Sequence, residues 1–222
     1  RLVGGRADDD VRATDVSLAD DGCATLTVTC ADGWSRRVTL SVPGRQVVPD
    51  FLLALSVIWG LGLDRDAACA AIERMPATRM RLDVKAAACG ARVIDDSYNA
   101  APNSMASSLD VLAQMACTGR RIAVLGEMGE LGADERRLHG YVGAYAAAKG
   151  LDMLVLIGGE LAGEMAEAAL TCGQSADALE VFPDVASAAA TIGPVLAEGD
   201  LVLVKASRAA GLDGFVKEVL AK

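Results

Sequence analysis

The sequence predicts an α/β protein: a mostly parallel sheet with flanking helices, preceded by a small antiparallel meander and a pair of helices. Three observations carry that prediction. From residue 91 onward, short β-branched runs alternate with helical patterns of ten or more residues, as strand–helix–strand crossovers require. Between residues 11 and 42, three near-alternating runs are divided by turns. In a chain of 222 residues, 52% are hydrophobic but only 4% aromatic, so Ala, Val, Leu and Ile must build the core, and these pack helices onto a sheet. The length suits one large domain or two small ones.

Residues 1–10 end in Asp8-Asp9-Asp10 and read as a loop. The meander strands are Val11–Leu18, Cys23–Cys30 and Trp34–Val42; in the second, Cys23, Leu26, Val28 and Cys30 contrast with Thr25, Thr27 and Thr29. Ala19-Asp20-Asp21-Gly22 and Ala31-Asp32-Gly33 supply the turns. Three strands alone make a poor domain, so the meander is expected to complete something larger. Pro49-Asp50 opens an apolar helix over Phe51–Leu61, which Gly62 stops. Asp64 caps a second helix, Arg65–Arg74, that ends before Pro76. Met80–Val84 and Ala91–Ile94 form a hairpin around Cys89-Gly90. The alternation then runs through helix Pro102–Met115, strand Arg121–Gly126, helix Ala133–Lys149, strand Asp152–Ile157 and helix Glu160–Leu170. Strand Glu180–Phe182, helix Val185–Ala197, strand Asp200–Val204 and helix Leu212–Leu220 complete it. Residues 91–222 therefore read as a Rossmann-like domain.

The net charge of −9 argues against a nucleic-acid or anionic-membrane surface. It is unevenly placed: residues 1–90 hold 11 basic and 12 acidic side chains, residues 91–222 hold 10 and 18. Six cysteines without a C-x-x-C pair, and a single histidine, do not make a zinc site. They read as reduced core residues of a cytosolic protein. No apolar run reaches membrane-spanning length, and there is no signal-peptide pattern. Arg1 in place of a starting Met is expected of a processed or trimmed chain.

Four strand ends point their loops to one edge of the parallel sheet: Asp95-Asp96, Gly126–Gly132, Gly158-Gly159-Glu160 and Lys205–Arg208. Ligands of open α/β sheets bind at that edge. Glycines there let a ligand approach the backbone, and Ser207-Arg208 suits an anion beside a helix N-terminus. Neither glycine cluster follows G-x-G-x-x-G, and no G-x-x-x-x-G-K-[ST] loop occurs, so a bound dinucleotide is unsupported and the main phosphate cradle for any ATP is not among these residues. His139, inside a helix and without a nucleophile signature, reads first as a structural or surface residue. Arg45 and Arg79 stand beside turns, where they suit phosphate or carboxylate or are simply solvated. Alone, the stretch from Asp95 to Met105 reads equally as an acidic turn; its neighbours make it the first ligand loop.

Asp95–Met105, Arg121–Gly132 with His139 after it, Asp200–Leu212, and Pro43-Gly44-Arg45 with the helix that follows are four segments that together resemble the Mur ligase family, in particular the members that add D-alanyl-D-alanine. Asp95–Met105, D-D-S-Y-N-A-A-P-N-S-M, is similar to that group's D-D-S-Y-N-A-N-P-x-S-M. Arg121–Gly132, with His139 after it, resembles R-x-A-V-L-G-D-M-x-E-L-G…H, and Asp200–Leu212 resembles D-x-V-L-V-K-G-S-R-x-M-x-L. Pro43-Gly44-Arg45 and the helix that follows resemble P-G-R-H-N…N-A-L-A-A. The resemblance implies that residues 1–77 are the C-terminal portion of a central ATP-binding domain and residues 78–222 a C-terminal Rossmann-like domain. It implies an ATP-dependent ligase of peptidoglycan precursor synthesis, which joins D-alanyl-D-alanine to UDP-N-acetylmuramoyl-tripeptide through an acyl phosphate.

The implied cofactors are ATP and Mg2+, with the magnesium ligands upstream of this chain. Arg79, Asp95, Asp96 and Asp50 would contact the nucleotide. Asn99, Ser104, Glu127, Glu130, His139, Ser207 and Arg208 would contact substrate. No catalytic residue and no metal ligand falls within the chain, which is expected to be inactive alone, cytoplasmic and monomeric, with no nucleic-acid or membrane partner. The pattern departs from the family at Gln46, Val47 and Asp50 (His, Asn and Asn), at Thr78 (Gly) and at Ala101 (Asn). A reading from another class is a diverged, non-catalytic Rossmann-like ligand-binding module.

Overall fold

The computed structural model describes residues 3–6 and 9–221, and the chain divides into two compact units, Arg1–Ala77 and Thr78–Lys222. In the first, strands β1 (Val3–Gly4), β2 (Val11–Leu18), β3 (Cys23–Cys30) and β4 (Ser35–Pro43) form a sheet in that order. β1 is parallel to β2, and the remaining pairs are antiparallel. Helices α1 (Val47–Gly60) and α2 (Arg65–Ile72) share the sheet's core, in which Leu26, Val28, Phe51, Leu55 and Cys69 are buried.

Three expectations are corrected here. Residues 1–10 are not all loop, because Val3–Gly4 pair with Val11 and Arg12; Asp8 of the acidic run lies outside the described residues. In β3 the buried set is Ala24, Leu26, Val28 and Cys30. Cys23 is an odd number of residues from that row and so shares the other face with Thr25, Thr27 and Thr29. Helix α1 begins at Val47 rather than Phe51, since Pro49 lies in the first turn, where a missing N–H breaks no helical bond. Asp64 does cap α2, accepting from the backbone N–H groups of Asp66 at 2.9 Å and Ala67 at 3.0 Å. All six cysteines are free thiols, and burial pushes Cys69 up to about 11, which keeps it protonated.

The second unit holds strands β5 (Asp83–Ala86), β6 (Arg92–Asp95), β7 (Arg121–Gly126), β8 (Met153–Ile157), β9 (Leu179–Phe182) and β10 (Leu201–Lys205). Their spatial order is β5-β6-β10-β7-β8-β9; β5 is antiparallel to β6 and every other pair is parallel. Helices α3 (Pro102–Gln114), α4 (Glu135–Ala147) and α5 (Glu160–Thr171) cover one face. Helices α6 (Val185–Ile192) and α7 (Asp213–Leu220) cover the other. Strand periodicity divides the core accordingly. Ile94, Leu125, Leu156 and Leu203 belong to the cluster under α3–α5, while Val93, Val124, Val155 and Val204 belong to the cluster under α6 and α7. At Gly143 the helices α4 and α5 approach so closely that a Cβ would lie 2.0 Å from the Met165 carbonyl oxygen.

Two boundaries differ from expectation for clear reasons. The first hairpin strand is Asp83–Ala86, not Met80–Val84, because Met80 (φ 63°) and Leu82 (φ 50°) take left-handed conformations that interrupt extended backbone. Helix α6 stops at Ile192, where Pro194 permits only a short 3-10 turn, Gly193–Val195. No described helix is long and apolar enough to cross a membrane.

Candidate functional site

Inserting β10 between β6 and β7 brings the loops after all three strands to the middle of the sheet's carboxyl edge. Residues 99–101, 129–131 and 207–209 from those loops line a cleft of about 490 Å³. Such a place, where chain order reverses between adjacent parallel strands, opens a crevice because the flanking loops diverge.

The floor of this edge is ionic. Asp96 continues β6, its N–H donating to the Val204 carbonyl at 3.0 Å. Its Oδ2 takes the Lys205 ammonium at 2.6 Å and the Ser108 hydroxyl at 2.6 Å, and its Oδ1 takes the Leu82 N–H at 3.2 Å. Lys205 also donates to the Asn99 carbonyl at 3.0 Å. Asp95, one residue earlier, points to the opposite face. It is ion-paired with Lys85 and accepts from the Ser97 hydroxyl at 2.6 Å. Burial works against the Lys85 ammonium, but Asp95 and Asp83 outweigh it and hold its pKa above the ordinary lysine value. Both aspartates, Ser97 and Lys205 are buried.

The walls are held from behind. His139 is fully buried; Nε2 accepts the Met128 N–H at 2.9 Å, which makes Nδ1 the protonated nitrogen that donates to the Glu135 carbonyl at 2.7 Å. Glu127 Oε1 accepts the N–H groups of Gly159 at 2.8 Å and Ala162 at 3.3 Å, a carboxylate set at the N-terminus of α5. Ser104 accepts from the Ala101 N–H at 3.0 Å and donates to the Ala101 carbonyl at 2.9 Å. Ala101 itself has no side-chain acceptor, so half of a reciprocal helix cap is missing where the family pattern has Asn. Glu130 is exposed, with a left-handed φ of 62°; such strain in a non-glycine residue marks a loop whose shape is imposed. Arg208 is exposed and paired with Asp213 at 3.4 Å.

Of the residues singled out from sequence, Asn99, Glu130, Ser207 and Arg208 therefore share one cleft. Ser104, Glu127 and His139 are not among the residues lining it; the Ser104 hydroxyl, Glu127 Oε1 and both His139 ring nitrogens are bonded to backbone groups and hold its walls from behind. Asp95 and Asp96 lie beneath it with every carboxylate oxygen already accepting a hydrogen bond. Arg79 is exposed on the segment before β5. Asp50 belongs to the N-terminal unit, where it is exposed in α1 beside an apolar pocket of about 290 Å³. Among the described residues no group of three or more His, Cys, Asp or Glu side chains converges as a metal site. Sequence reading placed Lys205 in a strand-end loop without giving it a role, and passed over Ser108. The signal for Lys205 was present, since a lysine closing the wholly buried run Leu201–Lys205 needs a partner.

Comparison with known proteins places this geometry. The family model described as Mur ligase, glutamate ligase domain, matches residues 80–208. The UDP-N-acetylmuramoyl-tripeptide–D-alanyl-D-alanine ligase of Mycobacterium tuberculosis is 36% identical over 95% of this chain and 44% of its own length. The ligase of that name from Escherichia coli is 31% identical over the same shares. A crystal structure of MurF from Acinetobacter baumannii superposes with a TM-score of 0.84 at 27% identity, covering all of this chain and 47% of that one. MurF from Thermotoga maritima in complex with ADP, at 22% identity and a TM-score of 0.79, shares the fold. The chain thus spans just under half the length of the relatives it matches.

Proposed function

The chain belongs to the Mur ligase family, and from that premise we propose that it supplies the acceptor side of an ATP-dependent, cytoplasmic ligase of peptidoglycan precursor synthesis. Residues 78–222 act as its C-terminal domain and residues 1–77 as the end of its central ATP-binding domain. The reaction joins D-alanyl-D-alanine to UDP-N-acetylmuramoyl-tripeptide. The tripeptide carboxylate oxygen takes the γ-phosphoryl group of ATP as its bond to ADP breaks and ADP leaves; the dipeptide amine attacks the acyl carbon of the resulting acyl phosphate, a C–N bond forms, and the C–O bond to phosphate breaks as phosphate leaves with its electron pair. The amine gives up a proton in the process.

The observation that carries this reading is the cleft where Asn99, Glu130, Ser207 and Arg208 converge, inside the region that matches the family model. A dipeptide zwitterion needs opposite charges at its two ends. The cleft offers a carboxylate from Glu130 and a guanidinium from Arg208. Chemistry of this kind depends on positioning the amine against the activated carboxyl. For the nucleotide, Arg79 is an exposed cation of the N-terminal segment of this unit, as is Arg81, and Asp96 keeps a small exposed edge, whereas Asp95 is shut in by Lys85 and Ser97. Magnesium is assigned no ligand among the described residues.

Calorimetric titration tests the proposal. The chain is expected to bind D-alanyl-D-alanine in preference to L-alanyl-L-alanine and to release no phosphate when mixed with ATP, magnesium, tripeptide and dipeptide. Equal affinity for both dipeptides would leave a generic binding module, and phosphate release would show that the residues of the phosphate site are present here after all.

A further inference from the structure

We propose that Lys205 is a positioning residue, a buried cation that clamps the loop after β6 to the end of β10 and so sets the width of the cleft. The inference rests on the reading of that cleft as the dipeptide site, but its geometry stands without it. Strand alternation places Lys205 on the same face as Leu203, and Asp96 on the same face as Ile94, both toward α3. The register pairs Val204 with Asp95, so Lys205 and Asp96 are neighbours across two parallel strands at the point where the ladder ends. From there one ammonium reaches the Asp96 carboxylate at 2.6 Å and the Asn99 carbonyl at 3.0 Å. Ser108 on α3 closes the group at 2.6 Å.

A buried ion pair gives little net stability over an apolar pair of similar volume, because desolvation cancels much of the attraction. What it gives is geometry: the ammonium needs acceptors in fixed directions, and here they lie on the loop that carries Asn99, Ala100 and Ala101. Ser207 and Arg208 follow Lys205 directly in the chain. One side chain thus ties both walls of the cleft to a common origin, although Lys205 itself is buried and does not line it.

The test compares the neutral pair Lys205→Met with Asp96→Asn, made together, against Arg120→Met with Asp200→Asn at the opposite edge of the sheet. The control also removes an ion pair built on a buried aspartate, with a cation that keeps solvent access, so the loss from neutralising a buried carboxylate is common to both. For the Lys205 variant the account expects amide hydrogen exchange across residues 97–101 to quicken and the Kd for D-alanyl-D-alanine to rise about tenfold, the weight of one charge-assisted hydrogen bond. The control is expected to leave both unchanged. Unaltered exchange and affinity in the Lys205 variant overturn the clamp. If the parent chain binds no dipeptide, the functional reading fails while exchange alone decides the clamp. Should the double variant not fold, Ser108→Ala keeps the ion pair and loses one donor to Asp96; about a threefold change in the same readouts supports the clamp, and no change overturns it.

Discussion

At the amino edge of the parallel sheet, Asp200 is bonded to the Arg120 N–H at 2.9 Å, its guanidinium at 2.6 Å and the Ala197 N–H at 3.0 Å. At the carboxyl edge, Asp96 is bonded to Lys205 and Ser108 at 2.6 Å and to the Leu82 N–H at 3.2 Å. Each edge buries an aspartate beside a cation, and the difference lies in what surrounds the pair. Around Asp200 the chain closes on itself: a Cβ at Gly119 would fall 2.7 Å from the Asp200 nitrogen, leaving no space for a ligand. Above Asp96 the loops from β6, β7 and β10 part and leave about 490 Å³. The same ion-pair chemistry is a staple at one edge and the foundation of a site at the other, because loops at a strand-order reversal diverge.

The largest expected effect breaks the carboxyl-edge pair on one side only. Lys205→Met leaves the Asp96 carboxylate buried and uncompensated, and urea unfolding is expected to show a loss of about 3–5 kcal/mol, a large part of a typical domain's stability. Asp200→Ala comes next. Arg120 keeps solvent access, so the loss is mainly that of the bonds to two part-buried backbone N–H groups, about 1–2 kcal/mol by the same measurement, with dipeptide affinity unchanged.

Acid separates the contributions further. Burial opposes ionisation of Asp200, but the Arg120 guanidinium and the two backbone amides outweigh it and hold the carboxyl below its ordinary value. A lowered folded-state pKa adds stability above the unfolded value near about 3.9 and loses it as pH falls through the folded value. The gap in stability between the parent and Asp200→Asn, followed by urea unfolding at several pH values, is therefore expected to hold from neutral pH to about 4 and to close below that. The smallest expected effect on stability belongs to Arg208→Ala. An exposed side chain at the cleft mouth should change stability by less than about 0.5 kcal/mol while weakening dipeptide binding about tenfold, the weight of a hydrogen bond to a charged group.

Sequence pattern served the two edges unequally. Alternation of apolar runs and helices located β7 to the residue and most other elements within a few positions, because buried parallel strands are continuous apolar runs. It missed Val3–Gly4, too short to show a period, and placed β5 early, because the left-handed turns at Met80 and Leu82 leave no mark in composition. The cleft was half legible. Asn99, Glu130, Ser207 and Arg208 stand in loops that sequence order puts at strand ends. The supporting roles of Ser104, Glu127 and His139 were not legible, since a polar residue near a ligand loop looks the same whether it faces the ligand or its own backbone. The pairing of Asp96 with Lys205 was beyond reach for a different reason. The two residues are distant in sequence, and their contact depends on β10 entering the sheet beside β6, an order that local patterns do not encode.

The central claim is that the cleft over Asp96 and Lys205 receives the dipeptide. Its most direct test is amide chemical-shift mapping of the labelled chain during titration with D-alanyl-D-alanine. The account predicts saturable shifts centred on residues 99–101, 129–131 and 207–209, with Arg208→Ala needing about ten times the ligand concentration to reach the same shifts. Shifts confined to the apolar pocket around Leu40, Phe51 and Met75, or none at all, would contradict it.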